Sequence, residues 1–208
     1  MEGMEMSTRQ RYIIKALELF SQRGFEAVSL ADIAEAVGLT KPALYKHFKS
    51  KQELFDEIIK MSDEGFAARM EALQVNFDRH PERKQQYGSI TAEEMEKRVV
   101  QLFLHTAFDP LPRQFRQLMA VEQFHMPEIA RKYNSRYVEC QYDEYEALFR
   151  VLMEAGKIKQ TDPRMLAVAF VSPVIVMVGV CDREPEKKDE AVEIIRAHVR
   201  EFYKVYGA

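Results

Sequence analysis

Apolar residues recur along this chain with the period of a helix rather than that of a strand. Ile13, Ala16, Leu17 and Phe20 fall at i, i+3, i+4 and i+7, which predicts a helix from Thr8 to Arg23 that Gly24 ends. Leu30, Ile33, Ala34 and Val37 repeat the pattern behind Ser29, a good N-cap with Asp32 three residues on, the spacing of a capping box. Gly38 stands where a helix closes in the left-handed conformation, and Thr40 caps a third helix whose apolar positions are Leu44 and Phe48. With only Gly38-Leu39-Thr40 between them, the second and third helices must cross steeply, as in a helix-turn-helix.

Downstream the same period continues. Ser50-Lys-Gln-Glu53 predicts the start of a fourth helix, with Leu54, Phe55, Ile58 and Met61 along one side and the pattern persisting to about Phe77. His80 to Ser89, with Pro81 and Gly88 among charges, predicts a loop. Thr91-Ala-Glu-Glu94 opens a helix to about Ala107, Asp109-Pro-Leu-Pro112 interrupts it, and another helix covers Arg113 to about Phe124. From Pro127 a long helix runs to Glu154 and stops at Gly156. Asp162-Pro163 opens an apolar helix, and Pro185 starts a last one with Val192, Ile195, Val199 and Phe202 on one side. No strand-period alternation and no repeat occurs, so the expected class is all-α with about nine helices.

Charge changes this picture by dividing the chain. The net charge is −3 over 208 residues, yet residues 7–52 hold eight Lys/Arg against four acids, a net +4 that leaves −7 for the remainder. A basic N-terminal segment on an acidic body suits a polyanion met by the first part alone, although an uneven solvated surface gives the same count. Two cysteines, Cys140 and Cys181, fit a reducing compartment and buried thiols better than a disulfide framework. The acidic N-terminus lacks the plan of a signal peptide. Met165–Cys181 contains a single polar side chain, Ser172, but is shorter than the ~20 residues of a bilayer span. Without flanking anchors, such a helix is expected to be covered by its own domain or a second subunit, not by a membrane. His80, His105, His125 and His198 are scattered without HExxH or CxxC spacing, and no phosphate loop or nucleophile elbow occurs, which argues against an enzyme, a metal site or a cofactor.

The candidate chemistry lies on the third helix. Advancing about 100° per residue from Thr40, Leu44 and Phe48 share the inward side, while Pro42, Ala43 and Lys46 face outward, flanked by Tyr45 and His47. A helix in a major groove presents one face to base edges and two flanks to the phosphate walls. Lys46, Pro42 and Ala43 are then the base-facing set, with the Tyr45 hydroxyl and His47 on the flanks. Thr40 and Lys41 lie at the tip, where backbone N–H groups favour an anion, and Lys51 adds a phosphate contact. Singly, Tyr45 could be half core, His47 a surface histidine and Lys46 a solvated charge. Their shared face favours DNA.

Ser29-Leu-Ala-Asp-Ile-Ala34, Gly38-Leu-Thr-Lys41, Leu44-Tyr-Lys-His-Phe48 and Lys49-Ser-Lys51 with Leu54 together resemble the tetracycline-repressor-like (TetR) family of bacterial regulators, over roughly residues 8–55. The resemblance implies a DNA-binding set of Ser29, Thr40, Lys41, Pro42, Ala43, Tyr45, Lys46, His47 and Lys51, in a domain spanning residues 7–52. Pro42-Ala43 departs from the small Gly and Ser/Thr often found there. Proline is tolerated in a first helical turn, and Ala43 keeps a methyl that suits thymine. Residues 53–208 are implied to be a helical ligand-binding and dimerisation domain, pairing through the last two helices as a homodimer on palindromic operator DNA. The resemblance also implies a cytoplasmic repressor released by a small effector. The aromatic middle helices point to a hydrophobic or aromatic one, with Phe103, Phe108, Phe115, Met119, Phe124, Tyr137, Tyr145 and Phe149 as candidate pocket residues, most of which could equally be core. Two alternatives remain: a regulator of this kind without an effector, and a helical interaction protein with a degenerate module.

Overall fold

The structure, a computed structural model, describes residues 6–73 and 81–208. The elements are α1 (Thr8–Arg23), α2 (Leu30–Val37), α3 (Lys41–Tyr45), α4 (Lys51–Leu73), α5 (Pro81–Gly88), α6 (Ala92–Phe108), α7 (Pro110–Glu122), α8 (Pro127–Asn134), α9 (Cys140–Glu154), α10 (Pro163–Arg183) and α11 (Lys188–Tyr206). A π-turn over Ser135–Glu139 joins α8 to α9 without a break, and a short 3-10 turn, Pro185–Lys187, precedes α11. No strand occurs among the described residues, only an isolated bridge between Ile158 and Gly207. The fold is all-α.

Side-chain caps set most helix starts. At α1, which spans Thr8–Arg23 as expected, Ser7 and Gln10 form a reciprocal capping box. Thr91 and Glu94 do the same at α6, and Asp162 accepts from the N–H groups of Arg164 and Met165 at α10. At α4 the box is shifted: the Glu53 N–H donates to the Ser50 hydroxyl at 3.0 Å, but the Glu53 carboxylate accepts from Lys49 N–H at 2.6 Å.

The long helix expected to reach Phe77 is described to Leu73, and residues 74–80 lie outside the described residues. The loop expected to Ser89 is instead the helix α5 from Pro81, held by Tyr87, which is 5% exposed. Proline at the first helical position loses no intrahelical bond, because that N–H has no partner anyway. For the same reason α7 starts at Pro110 and carries Pro112 in its first turn, earlier than the expected Arg113.

The chain divides into two compact units, Met1–Ala68 with Gln114–Tyr133, and Arg69–Arg113 with Asn134–Ala208. The first unit has a core of Tyr12, Ala16, Leu17, Phe20, Val28, Ile33, Leu44, Phe48, Leu54 and Ile58, joined by Leu118 and Met119. The second has its own core, in which Phe149, Phe170 and Phe202 meet at ring-centroid distances of 4.6–5.3 Å.

Candidate nucleic-acid interface

The turn between α2 and α3 is built by local hydrogen bonds. The Ser29 hydroxyl accepts from Asp32 N–H at 3.2 Å and donates to Asp32 Oδ2 at 2.8 Å, while Ser29 N–H donates to the same oxygen at 2.7 Å. These bonds, the backbone one foremost, hold the Asp32 carboxyl below the usual carboxylate range. Gly38 closes α2 at φ 75°, ψ 28°, its N–H on Glu35 C=O at 2.8 Å and Leu39 N–H on Ala34 C=O at 2.9 Å. That left-handed geometry carries no Cβ penalty at glycine. Thr40 then caps α3, its hydroxyl accepting from Ala43 N–H at 3.4 Å.

The regular helix α3 is only five residues long and holds Pro42 in its first turn. Past Tyr45 the chain stays wound, because His47 and Phe48 N–H both donate to Leu44 C=O, at 2.9 and 3.0 Å. The inward side is as the angular placement predicts: Leu44 and Phe48 are both 0% exposed. Phe48 sits edge-on to Tyr12 at 6.5 Å, under the Arg9 guanidinium at 4.8 Å, and Arg9 is paired with Glu57 at 3.2 Å. This packing fixes the helix from below. The outer side carries Lys41, Pro42, Tyr45, Lys46 and His47 exposed, with Ala43 half-buried.

Tyr45 is 48% exposed with the Lys41 ammonium 5.8 Å from its ring centroid, and His47 lies 5.8 Å from the Tyr12 ring. Among the described residues neither Lys41 nor Lys46 is in an ion pair, so both keep their charge for an external anion. Lys51 is placed differently. Its ammonium donates to Phe25 C=O at 2.8 Å and Glu26 C=O at 3.3 Å and lies 4.2 Å over the Phe25 ring. Ser29 likewise has its hydroxyl engaged in the capping box.

The eight candidate pocket residues are divided between the two units. Phe103 and Phe108 meet edge-on at 5.9 Å and Tyr145 and Phe149 at 6.0 Å, all four packed in the second unit, where Tyr137 is half-buried on the π-turn. Phe115, Met119 and Phe124 belong to the first unit: Met119 is fully buried, Phe115 half-buried, and Phe124 is 83% exposed. An open groove of about 620 Å³ between α6 and α11 is lined instead by charged residues, among them Glu96 and Arg200, and contains none of the eight. Among the described residues no three His, Cys, Asp or Glu are grouped to hold a metal ion. Both cysteines are free, and burial pushes the Cys140 thiol up to about 12.

A buried acidic residue that the helical periodicity did not single out is Glu122. It is 3% exposed, and its carboxylate accepts from Phe25 N–H at 2.7 Å. Only its acidic character at an inward α7 position distinguishes it in the sequence.

A steeply crossed helix pair with a cationic, outward-facing second helix defines a helix-turn-helix protein. Residues 13–58 match the family profile of bacterial regulatory proteins, tetR family. The HTH-type transcriptional regulator AcrR of Shigella flexneri is 50% identical over 56 residues, a stretch spanning 27% of this chain and 26% of that relative's length. A TetR-family transcriptional regulator from Mesorhizobium loti superposes at a TM-score of 0.67 with 20% identity, covering 96% of each chain. SmeT, the repressor of the Stenotrophomonas maltophilia multidrug efflux pump SmeDEF, superposes at 0.60 with 17% identity, covering 98% of this chain and 92% of that one, and its triclosan complex at 0.64 with 16% identity, covering 98% and 93%. At those identities the likeness is one of fold. Residues 13–58 thus carry a tetR-family sequence signature, and the chain as a whole shares the fold of solved tetR-family transcriptional regulators.

Proposed function

We propose that this chain is a dimeric, cytoplasmic transcriptional repressor that binds a palindromic operator through residues 7–52 and is released by a small apolar or aromatic effector bound by residues 53–208. The observation that carries the DNA half is the outer face of α3: Tyr45, Lys46 and His47 are exposed above the buried Leu44 and Phe48. Lys46, Pro42 and Ala43 read base edges, whereas Lys41, Tyr45 and His47 hold phosphates and Thr40 and Ser29 set the helix tips. Lys51 contributes through the carbonyls it holds and through its charge.

The dimer half is supported by α10. Met165 is 61% and Val176 58% exposed on one face with Ala169 between them, and α11 adds Ile194 at 42% and Val205 at 56%. Such surface calls for a second apolar surface. The effector half is supported by SmeT, a repressor solved with triclosan, and by the aromatic content of α6 to α9.

The test is selection of a duplex from a randomised pool by the full-length chain, followed by anisotropy titration of the variants at several salt concentrations. Tyr45→Phe removes a phosphate contact and should weaken all sequences alike, with a salt slope no steeper than wild type. Lys46→Ala should in addition relax preference at one base position, a loss of about 1–3 kcal/mol there. If the wild-type chain enriches no duplex, the interaction-protein alternative replaces this one.

A further inference from the structure

The strongest unassigned feature lies in the first unit, at the bend between α1 and α2. Gly24 leaves α1 at φ 79°, ψ 159°, and the next residue, Phe25, is held through both its N–H and its C=O. Phe25 N–H donates to Glu122 Oε1 at 2.7 Å, and Phe25 C=O accepts from the Lys51 ammonium at 2.8 Å. The Phe25 ring is wedged between Phe20 at 5.4 Å and Phe55 at 4.9 Å, with the Lys51 ammonium above it. Glu122 is 3% exposed, so its carboxylate has exchanged water for this contact. A Cβ on Gly24 would stand 3.4 Å from Glu122 Oε1 and 3.6 Å from Val121, ordinary van der Waals contact, so the glycine is required by its φ of 79° and the carboxylate packs directly beside the bend.

The position of Glu122 in the chain gives this grip its meaning. It lies well outside residues 13–58, yet Gln114–Tyr133 belongs to the same compact unit as the helix-turn-helix. A buried hydrogen bond to a charged acceptor is costly to leave unmade and strongly directional. It therefore fixes where the chain turns into α2, and through α2 the angle at which α3 is presented.

We propose that Glu122 is a positioning residue for operator binding: by holding Phe25 N–H against the Lys51 grip on Phe25 C=O, it sets the pose of the helix-turn-helix. This rests on the DNA-binding assignment above. The experiment compares the full-length wild type with Glu122→Ala and Glu122→Gln. The probe is a labelled duplex enriched by the wild type from a randomised pool, titrated across salt concentrations well below each melting temperature, with amide exchange at Phe25 followed in parallel. Glu122→Ala should bind about tenfold more weakly with an unchanged salt slope, because no phosphate contact is removed, and its Phe25 amide should exchange faster. Glu122→Gln keeps a carbonyl acceptor of the same reach and should stay within about threefold of wild type. If the alanine variant does not fold, Glu122→Asp, which withdraws the carboxylate by one methylene, should show its weaker binding. Wild-type affinity in Glu122→Ala, or in Glu122→Asp where the alanine variant does not fold, overturns the proposal, as does a loss in Glu122→Gln equal to that in the alanine variant. A wild type that enriches no duplex overturns the DNA-binding assignment and this proposal with it, which keeps the two failures apart.

Discussion

Glu144 on α9 shows how one buried carboxyl makes stability depend on pH. It is 7% exposed and takes a hydrogen bond from the Cys140 thiol at 3.6 Å. Burial raises its pKa above the usual carboxylate range, opposed less strongly by the charge of Arg69. A carboxyl raised in the folded state contributes stability that is complete below its unfolded value, about 4.3, and is lost as pH rises through the folded value. Glu144→Gln removes that titration. Its melting temperature relative to wild type should therefore climb as pH rises above the usual carboxylate range, measured by circular dichroism in matched buffers. Parallel melting curves for the two proteins would place the charge in water. At this scale the sequence was legible wherever helical geometry alone decides: Leu44 and Phe48 point in and Lys46 points out because of 100° steps. Lys51 escaped that reasoning, since its carbonyl partners lie 25 and 26 residues away and only the folded turn brings them near.

The glycines at the helix ends are not equivalent. Gly38 closes α2 at φ 75°, ψ 28°, with nothing within 4 Å of where a Cβ would sit. Alanine there meets only the left-handed backbone cost of roughly 1–2 kcal/mol. Gly24 adopts φ 79°, ψ 159°, a region that is essentially glycine-only. Gly24→Ala should cost about 1–3 kcal/mol and lower the melting temperature by several degrees, more than Gly38→Ala does. Thermal melts of the two single variants decide the order, and equal shifts would remove the special role of the Gly24 bend. The same attention to ends explains what the sequence hid. Pro81, Gly88, Pro110 and Pro112 read as breaks, yet they occupy first turns and a last residue, where such residues fit a helix. Ser29, Thr91 and Asp162 were legible because an N-cap is a local hydrogen bond. The π-turn at Ser135–Glu139 has no such marker, since no side-chain cap bounds it.

For the molecule as a whole, the decisive surface is the apolar helix α10. Among the described residues it is the one helix long and apolar enough to cross a membrane, and 33% of its most apolar stretch is buried within the chain. The rest of that apolar surface needs a cover. A bilayer would have to surround the helix, but Leu166, Ala167, Phe170 and Val171 are already packed into the second unit's core, so only one side is open. A one-sided apolar face, with Met165 and Val176 exposed at its ends and Ile194 and Val205 on α11, is the surface that the proposed homodimer would pair under two-fold symmetry. Val176→Asp places a charge in that interface, where its desolvation opposes association. On the proposed homodimer, it should sediment as a monomer at concentrations where the wild type self-associates. Operator affinity should drop on the order of a hundredfold or more, because each half-site is then bound without its linked neighbour. Sedimentation and anisotropy on the same preparations test both halves. A Val176→Asp chain that remains dimeric moves the interface away from α10, and one that is monomeric yet binds its operator unchanged shows that a single helix-turn-helix suffices.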